Sequence, residues 1–429
     1  MLLTLFVLVL VVLGGDLLAL PFMKKITLKA KPSIRVKSWL AKDTVAGYFL
    51  LICAVISLVL ANTHWGTIYL KIWNHPIGGF PFSHWIDDGL MAIFFLMVGL
   101  ELKRELLYGE LKSKRQAILP IFAAMGGMLV PAVIYLAFTW GHSTQMGFGI
   151  PMATDIAFVL AVLAVLGTRI PKQLKIFLTA LAVMDDLGAV IVIAIFYTSH
   201  FSLPYLLLSL MLLMVIFLVG QMVKASTPAQ ENLLIAFSLF AGVGVWGLLM
   251  RSGVHASIAG ILVALAIPSY NGAADAPAAR LERGIHLPVY FFVLPLFILS
   301  NMAIQLNNIL PQTESFGMSL MNLLSQPHIL GIVFGLLIGK PLGIISGVLI
   351  VLSMHWGKLP ESMTVKHIVG AGFLGGIGFT MAIFISALSF EERFYLDSAK
   401  LAVVGASTIS AMIGAIILSL KMPGKTNQT

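Results

Sequence analysis

Two adjacent aspartates, Asp185 and Asp186, stand in a run from Ile176 to Tyr197 in which every other residue is uncharged and most are apolar. A bilayer takes roughly 20 apolar residues to cross, so the two carboxylates fall near the middle of a span. Ionised groups at that depth are costly and face a cavity or a partner. The chemistry on offer is hard oxygen ligation of a small cation, together with uptake and release of protons. Neighbouring residues on an α-helix point about 100° apart, so the pair cannot clasp one ion symmetrically. One is expected to face a water-filled funnel and hold a cation while the other meets a buried base.

Two further charges cannot be moved out of the membrane by shifting span boundaries. Asp155 follows Thr154 in Pro151-Met152-Ala153-Thr154-Asp155, and Lys340 sits midway along its span in Gly339-Lys340-Pro341. A lysine can snorkel to the interface, but three membrane acids without a basic partner favour an internal countercharge. Gly331, Gly335, Gly339, Gly343 and Gly347 recur every fourth residue, a stripe that lets another backbone approach closely. That stripe holds Lys340 beside a helix crossing instead of lipid.

The spans carrying Thr154-Asp155 and Gly375-Gly376-Ile377-Gly378-Phe379-Thr380 both have helix-breaking residues near their centres. Unwound backbone at membrane depth is tolerated only where protein or a cavity surrounds it. Such breaks in corresponding spans point to an ion site between inverted repeats. Half-helix ends facing each other leave partial charges; Asp155 is expected to offset the positive ends and Lys340 the negative ones.

The elements that must position these groups follow from hydropathy. Apolar residues make up 59% of the 429 and charged residues 10%, where about 25% charged is usual for a soluble domain. Mean hydropathy is +0.99. Apolar segments lie near 44–61, 85–102, 118–138, 147–167, 175–198, 203–223, 231–250, 253–268, 287–304, 328–353, 367–388 and 399–420. The fold class is therefore an all-α polytopic membrane protein with about 12 core transmembrane helices. The broken spans are the fourth and eleventh, each the middle of three, and the two triplets have opposite orientation because two spans precede one and nine the other. This predicts inverted three-helix repeats with two unwound crossing helices.

Placing residues 1–43 on the cytoplasmic side puts nearly all Lys and Arg inside, leaving Lys71, Arg251, Arg393 and Lys400 outside, as the positive-inside rule requires. Both ends of the core are then cytoplasmic. The expected organisation is an apolar extension and basic segment at 1–43, the core at 44–420 and a tail at 421–429. For residues 1–20 the charge follows the apolar run, which argues against a cleaved leader and for an extra helix or anchor; translation from Met23 is a third reading. The net charge of +9 is dispersed between spans, so nucleic acid is not an expected partner. The lone Cys53 excludes a disulfide framework. In the outer loop, Ile77-Gly78-Gly79 among aromatic residues reads as a hairpin or as an interfacial aromatic belt.

At Thr154-Asp155-Ile156-Ala157-Phe158, Met184-Asp185-Asp186-Leu187-Gly188-Ala189, Gly339-Lys340-Pro341-Leu342-Gly343 and Gly376-Ile377-Gly378-Phe379-Thr380 the chain closely resembles the NhaA family of bacterial sodium/proton antiporters. Asp88-Gly89-Leu90-Met91, Val98-Gly99-Leu100-Glu101, Lys103-Arg104-Glu105-Leu106 and Ser252-Gly253-Val254-His255-Ala256 extend the match from about residue 44 to 420. That family is a known example of inverted repeats, so the repeat expectation is not independent of the resemblance.

The resemblance implies electrogenic exchange in the bacterial inner membrane, with activity rising toward alkaline pH. It implies Asp185 and Asp186 as the cation and proton site, Thr154 and Asp155 at the helix crossing, and Lys340 paired with Asp185. Glu101, Arg104, Glu105, Glu282 and His286 would set the pH response; Arg283 stands where some relatives carry a sensing histidine. For His255, packing and pH sensing both remain open. Partners are then Na+, Li+ and H+ as cargo, membrane lipids, and a second copy of the chain through the outer loop 62–84. No cofactor is called for, and metal enters only as transported Na+. The rivals are a passive cation channel and an intramembrane aspartyl protease, whose Gly-x-Gly-Asp pattern is absent, while Gly339-Lys340-Pro341 lacks the Ser or Thr of a nucleotide-binding loop.

Overall fold

The computed structural model describes residues 43–167, 170–198, 201–223, 227–269, 276–310, 316–360 and 362–420. The expectations for the chain before residue 43 and for the tail 421–429 lie outside the described residues.

In chain order, α1 (Asp43–Ala61) bends by 118° into the short α2 (Gly66–Trp73). The strands β1 (Pro76–Ile77) and β2 (Phe80–Pro81) lead through a π-turn at Trp85–Leu90 into α3 (Met91–Leu107). Next come α4 (Lys114–Thr139), a 3-10 segment at Ser143–Met152, α5 (Ile156–Leu166), α6 (Lys172–Phe196), α7 (Leu203–Met222) and α8 (Pro228–Ser252). The short α9 (Ala259–Ala266) precedes α10 (Pro277–Pro288), which passes through a π-turn into α11 (Leu294–Asn301). After α12 (Phe316–Leu324), α13 (Pro327–Phe334) passes through a π-turn at Gly335–Gly339 into α14 (Lys340–Ser353). Last are α15 (Val365–Gly375), α16 (Phe379–Ser389) and α17 (Arg393–Ser419).

Each of the twelve apolar segments contains helix. Among the described residues seven helical spans are long and apolar enough to cross a membrane, or ten if each bent pair is one span; α3 and α9 fall outside that count. Leu207, Leu208, Met211, Met214, Leu218 and Met222 leave one continuous apolar face of α7 exposed. Water does not sustain faces of this kind, and lipid does, because a helix satisfies its own backbone and needs only apolar surroundings. The chain is an all-α polytopic membrane protein.

The helices form two compact units, one from the described parts of residues 1–112 and 190–306, the other from those of 113–189 and 307–429. In the first, α3 and α9 touch backbone to backbone: a Cβ on Gly99 would stand 2.7 Å from Ala264 Cβ, and one on Gly260 2.0 Å from Ala92 O. The outer loop forms a hairpin in which Ile77 faces Phe80. Its turn glycines have φ of 63° at Gly78 and 93° at Gly79, the backbone that a two-residue hairpin turn requires. Trp85 Nε1 donates to Ile77 O at 2.9 Å, so the aromatic residues of this loop pack on the hairpin they flank.

The second unit holds both broken spans. They bend by 42° between Ser143–Met152 and Ile156–Leu166 and by 43° between Val365–Gly375 and Phe379–Ser389. Its apolar core includes Leu119, Val159, Leu178, Ile344, Val348 and Leu374. The glycine stripe of α13 and α14 lies along α4 and the 3-10 segment, with Gly331 on Tyr135, Gly335 on Pro151, Gly339 on Pro131, Gly343 on Gly126 and Gly347 on Phe122. Lys340 is thereby carried at a backbone contact and is 0% exposed, which rules out snorkelling.

Candidate ion-binding site

The two interruptions meet. Ala153 and Asp155 leave the helical region, with ψ of 150° and 101°, while α15 stops at Gly375 and α16 starts at Phe379. Asp155 N donates to Ile377 O at 2.6 Å, one unwound strand of backbone bonding the other.

Asp155 stands at the start of both second halves. Its Oδ1 accepts from Ala157 N at 3.1 Å and Phe158 N at 3.4 Å, capping α5. Its Oδ2 accepts from Thr380 N at 2.9 Å and also from Thr380 Oγ1, at the first turn of α16. One buried carboxylate thus answers the unpaired N–H groups and partial positive charge of two helix N-termini.

The opposite ends find a positive partner and a hydroxyl. Lys340 Nζ donates to Met152 O, where the 3-10 segment ends, and to Asp185 Oδ2 at 2.7 Å. Thr154 Oγ1 lies 2.6 Å from the same Asp185 oxygen and 2.8 Å from Gly375 O, where α15 ends. A hydroxyl has one proton, so it serves one of these acceptors at a time. Asp185 Oδ1 is buried without a hydrogen-bond partner among the described residues. Asp186, the next residue along α6, is 6% exposed against 0% for Asp185. Three buried carboxyl groups here stand against one buried lysine, an excess of oxygen donors of the kind a small hard cation prefers.

In the first unit Arg104 gathers three glutamates. It bonds Glu282 of α10 through Nη1, and its Nη2 stands 3.5 Å from Glu101 and 3.4 Å from Glu105. His286 lies one helical turn beyond Glu282 with its ring 4.7 Å from that of Tyr290. His255 joins another cluster, its Nε2 3.5 Å from Asp88 and its Nδ1 2.9 Å from Ser257 Oγ.

Residues 37–418 match the family model for Na+/H+ antiporter 1. The chain is 44% identical over 394 residues to the Na(+)/H(+) antiporter NhaA of Dechloromonas aromatica, covering 91% of this chain and 97% of that one. It is 44% identical over 378 residues to the Na(+)/H(+) antiporter NhaA of Flavobacterium psychrophilum, with 88% and 94% covered, and 41% identical over 394 residues to that of Aliivibrio salmonicida, with 91% and 98% covered. The chain belongs to the Na+/H+ antiporter 1 family.

Members of this antiporter family are transporters, not enzymes, and the protease reading falls away. Two groups at the antiporter's helix breaks were not singled out from the sequence. Ser407 Oγ accepts from Gly378 N at 3.1 Å and Phe379 N at 3.3 Å, and Ser410 Oγ donates to Phe373 O at 2.7 Å. Both lie on α17, three residues apart and so on one face; Ser407 meets N–H groups at the start of α16, and Ser410 adds a second donor to Phe373 O, which also accepts from Gly376 N at 2.9 Å.

Proposed function

We propose that the chain expels cytoplasmic Na+ or Li+ in exchange for external H+, electrogenically and under pH control, by alternating access at Asp185 and Asp186. The observation that carries this reading is the fully buried Lys340–Asp185 pair at the junction of two broken helices, with Asp186 beside it. Family membership supports Na+ and H+ as the exchanged ions.

Asp186 receives the cation from water, and the cation's lost hydration is replaced by carboxylate oxygens, the Thr154 hydroxyl and carbonyls freed by unwinding. When the cation draws in Asp185 it takes over the countercharge role that Lys340 fills in its absence. Cation and protons compete for the same aspartates, so each expels the other. Displacement of more than one proton per cation moves net charge, and the inward proton gradient then drives export. Asp155 and Thr380 keep the two half-helices facing the site, and the helix assembly moves around it.

Glu101, Arg104, Glu105, Glu282 and His286 are assigned to the pH threshold, with the ends of the core on the cytoplasmic face of a bacterial inner membrane. The hairpin in loop 62–84 is assigned to contact with a second copy of the chain.

The test is proton movement in proteoliposomes on addition of Na+, Li+ or K+ across a pH series. Proton release from acid-loaded vesicles on adding Na+ is expected. Na+ flux without proton counterflow would instead identify a passive channel.

A further inference from the structure

The end of α3 carries a second cation that the transport scheme leaves unused. Lys103 Nζ donates to Leu265 O at 2.8 Å and to Ile267 O, and stands 3.5 Å from Ala264 O. Among the described residues its partners are carbonyls, all at the C-terminus of α9. A helix leaves its last carbonyls without intrahelical donors. Here the shortage is worse, because the residue four beyond Ala264 is Pro268, which has no N–H to give. Ala264 and Ile267 are both 0% exposed, while Leu265 is 40% exposed, so the ammonium serves two carbonyls of buried residues and one of a residue within reach of water.

The same face of α3 holds α9 one turn earlier. Gly99 precedes Lys103 by four residues and therefore lies above it on the helix, and Gly99 is the position where Ala264 and Ile261 press against the α3 backbone. Arg104, the next residue, points about 100° away, where it bonds Glu282 of α10 and approaches Glu101 and Glu105. One turn of α3 thus grips the end of α9 on one face and assembles the acidic cluster on the other. Rotation or sliding of α3 against α9 would carry Arg104 with it.

We propose that Lys103 is a positioning residue for the Arg104–Glu282 cluster: by occupying the carbonyl cage of α9 it fixes the rotation and register at which Arg104 meets Glu282. Its influence on pH dependence rests on the reading that this cluster sets the pH threshold. Its influence on the geometry of the cluster does not.

The experiment uses Lys103→Met, which keeps most of the side chain's apolar length and removes the ammonium, with Lys103→Arg as the variant that restores donors. In proteoliposomes Lys103→Met is expected to shift the pH of half-maximal exchange by about half a unit or more, Lys103→Arg to return most of that shift, and Lys103→Met to add little in a Glu282→Gln background. A shift of equal size with and without Glu282 would overturn the proposal, as would an unmoved midpoint with a lower maximal rate. In parallel, melting temperatures of Lys103→Met, Arg104→Gln and the double variant are compared. The two losses are expected to be non-additive, because the residues act on one geometry; strict additivity would overturn the proposal. If Glu282→Gln alone leaves the pH midpoint in place, the threshold assignment of the cluster fails, and the melting cycle then decides the role of Lys103.

Discussion

Lys340 Nζ lies 2.7 Å from Asp185 Oδ2 with both side chains 0% exposed. Neither charge has water to fall back on, so removing one partner strands the other. Lys340→Ala is expected to lower stability by about 3–5 kcal/mol, and Asp185→Asn added to it should recover part of the loss. Thermal unfolding in detergent reads both; a melting temperature unchanged by Lys340→Ala would refute the pairing.

Asp155 joins the beginnings of α5 and α16, and its bond from Thr380 is charge-assisted. Thr380→Val keeps the shape and removes the hydroxyl, at an expected cost of about 1.5–3 kcal/mol. Asp155→Ala should cost more than Asp155→Asn, since the amide oxygen still accepts at a helix start. Equal melting temperatures for the two Asp155 variants would show that the caps contribute nothing.

The glycine stripe predicts where size is forbidden. A Cβ on Gly343 would lie 2.1 Å from Gly126 O, a backbone atom that cannot swing aside, whereas a Cβ on Gly405 meets nothing within 4 Å. Gly343→Ala should destabilise by about 1–3 kcal/mol or more through overpacking, and Gly405→Ala should be neutral or stabilising by up to about 1 kcal/mol. A Gly343→Ala protein as stable as Gly405→Ala would mean that α4 and α14 do not touch as described.

Much of this was readable before the fold, and the reasons differ by residue. The segments were legible because lipid obliges each spanning stretch to be apolar and to satisfy its own backbone. The breaks were legible because Pro151 and Gly375 to Gly378 interrupt such stretches, and Asp155, Asp185, Asp186 and Lys340 because mid-membrane charge needs a reason. Which of the adjacent aspartates meets Lys340 was not legible from spacing alone, since the rotation of α6 is set by packing. Ser407 and Ser410 were hidden for another reason. Hydroxyls on membrane helices commonly bond the carbonyl four residues back, as Ser386 does to Ala382 and Ser389 to Ile385, and nothing local marks the ones that reach another helix. The carbonyl cage around Lys103 needed Pro268 and a lysine from another helix together, a combination only tertiary structure displays.

Glu282 shares Arg104 with Glu101 and Glu105. Glu282→Gln removes one of three negative charges around that guanidinium, so it is expected to move the pH of half-maximal exchange by about half a unit or more while changing the maximal rate much less. A large loss of Na+ affinity at the optimal pH, with the profile unmoved, would place Glu282 at the transport site instead.

Competition of cation and proton at the aspartate pair requires that Asp186→Asn disable exchange. The substitution keeps shape and hydrogen-bonding capacity but removes a charged oxygen ligand and a proton carrier. In proteoliposomes, with folding verified by an unfolding transition close to that of the unaltered chain, Na+-driven proton movement should be abolished at every pH and at saturating Na+. Normal exchange by Asp186→Asn under those conditions would rule out that competition.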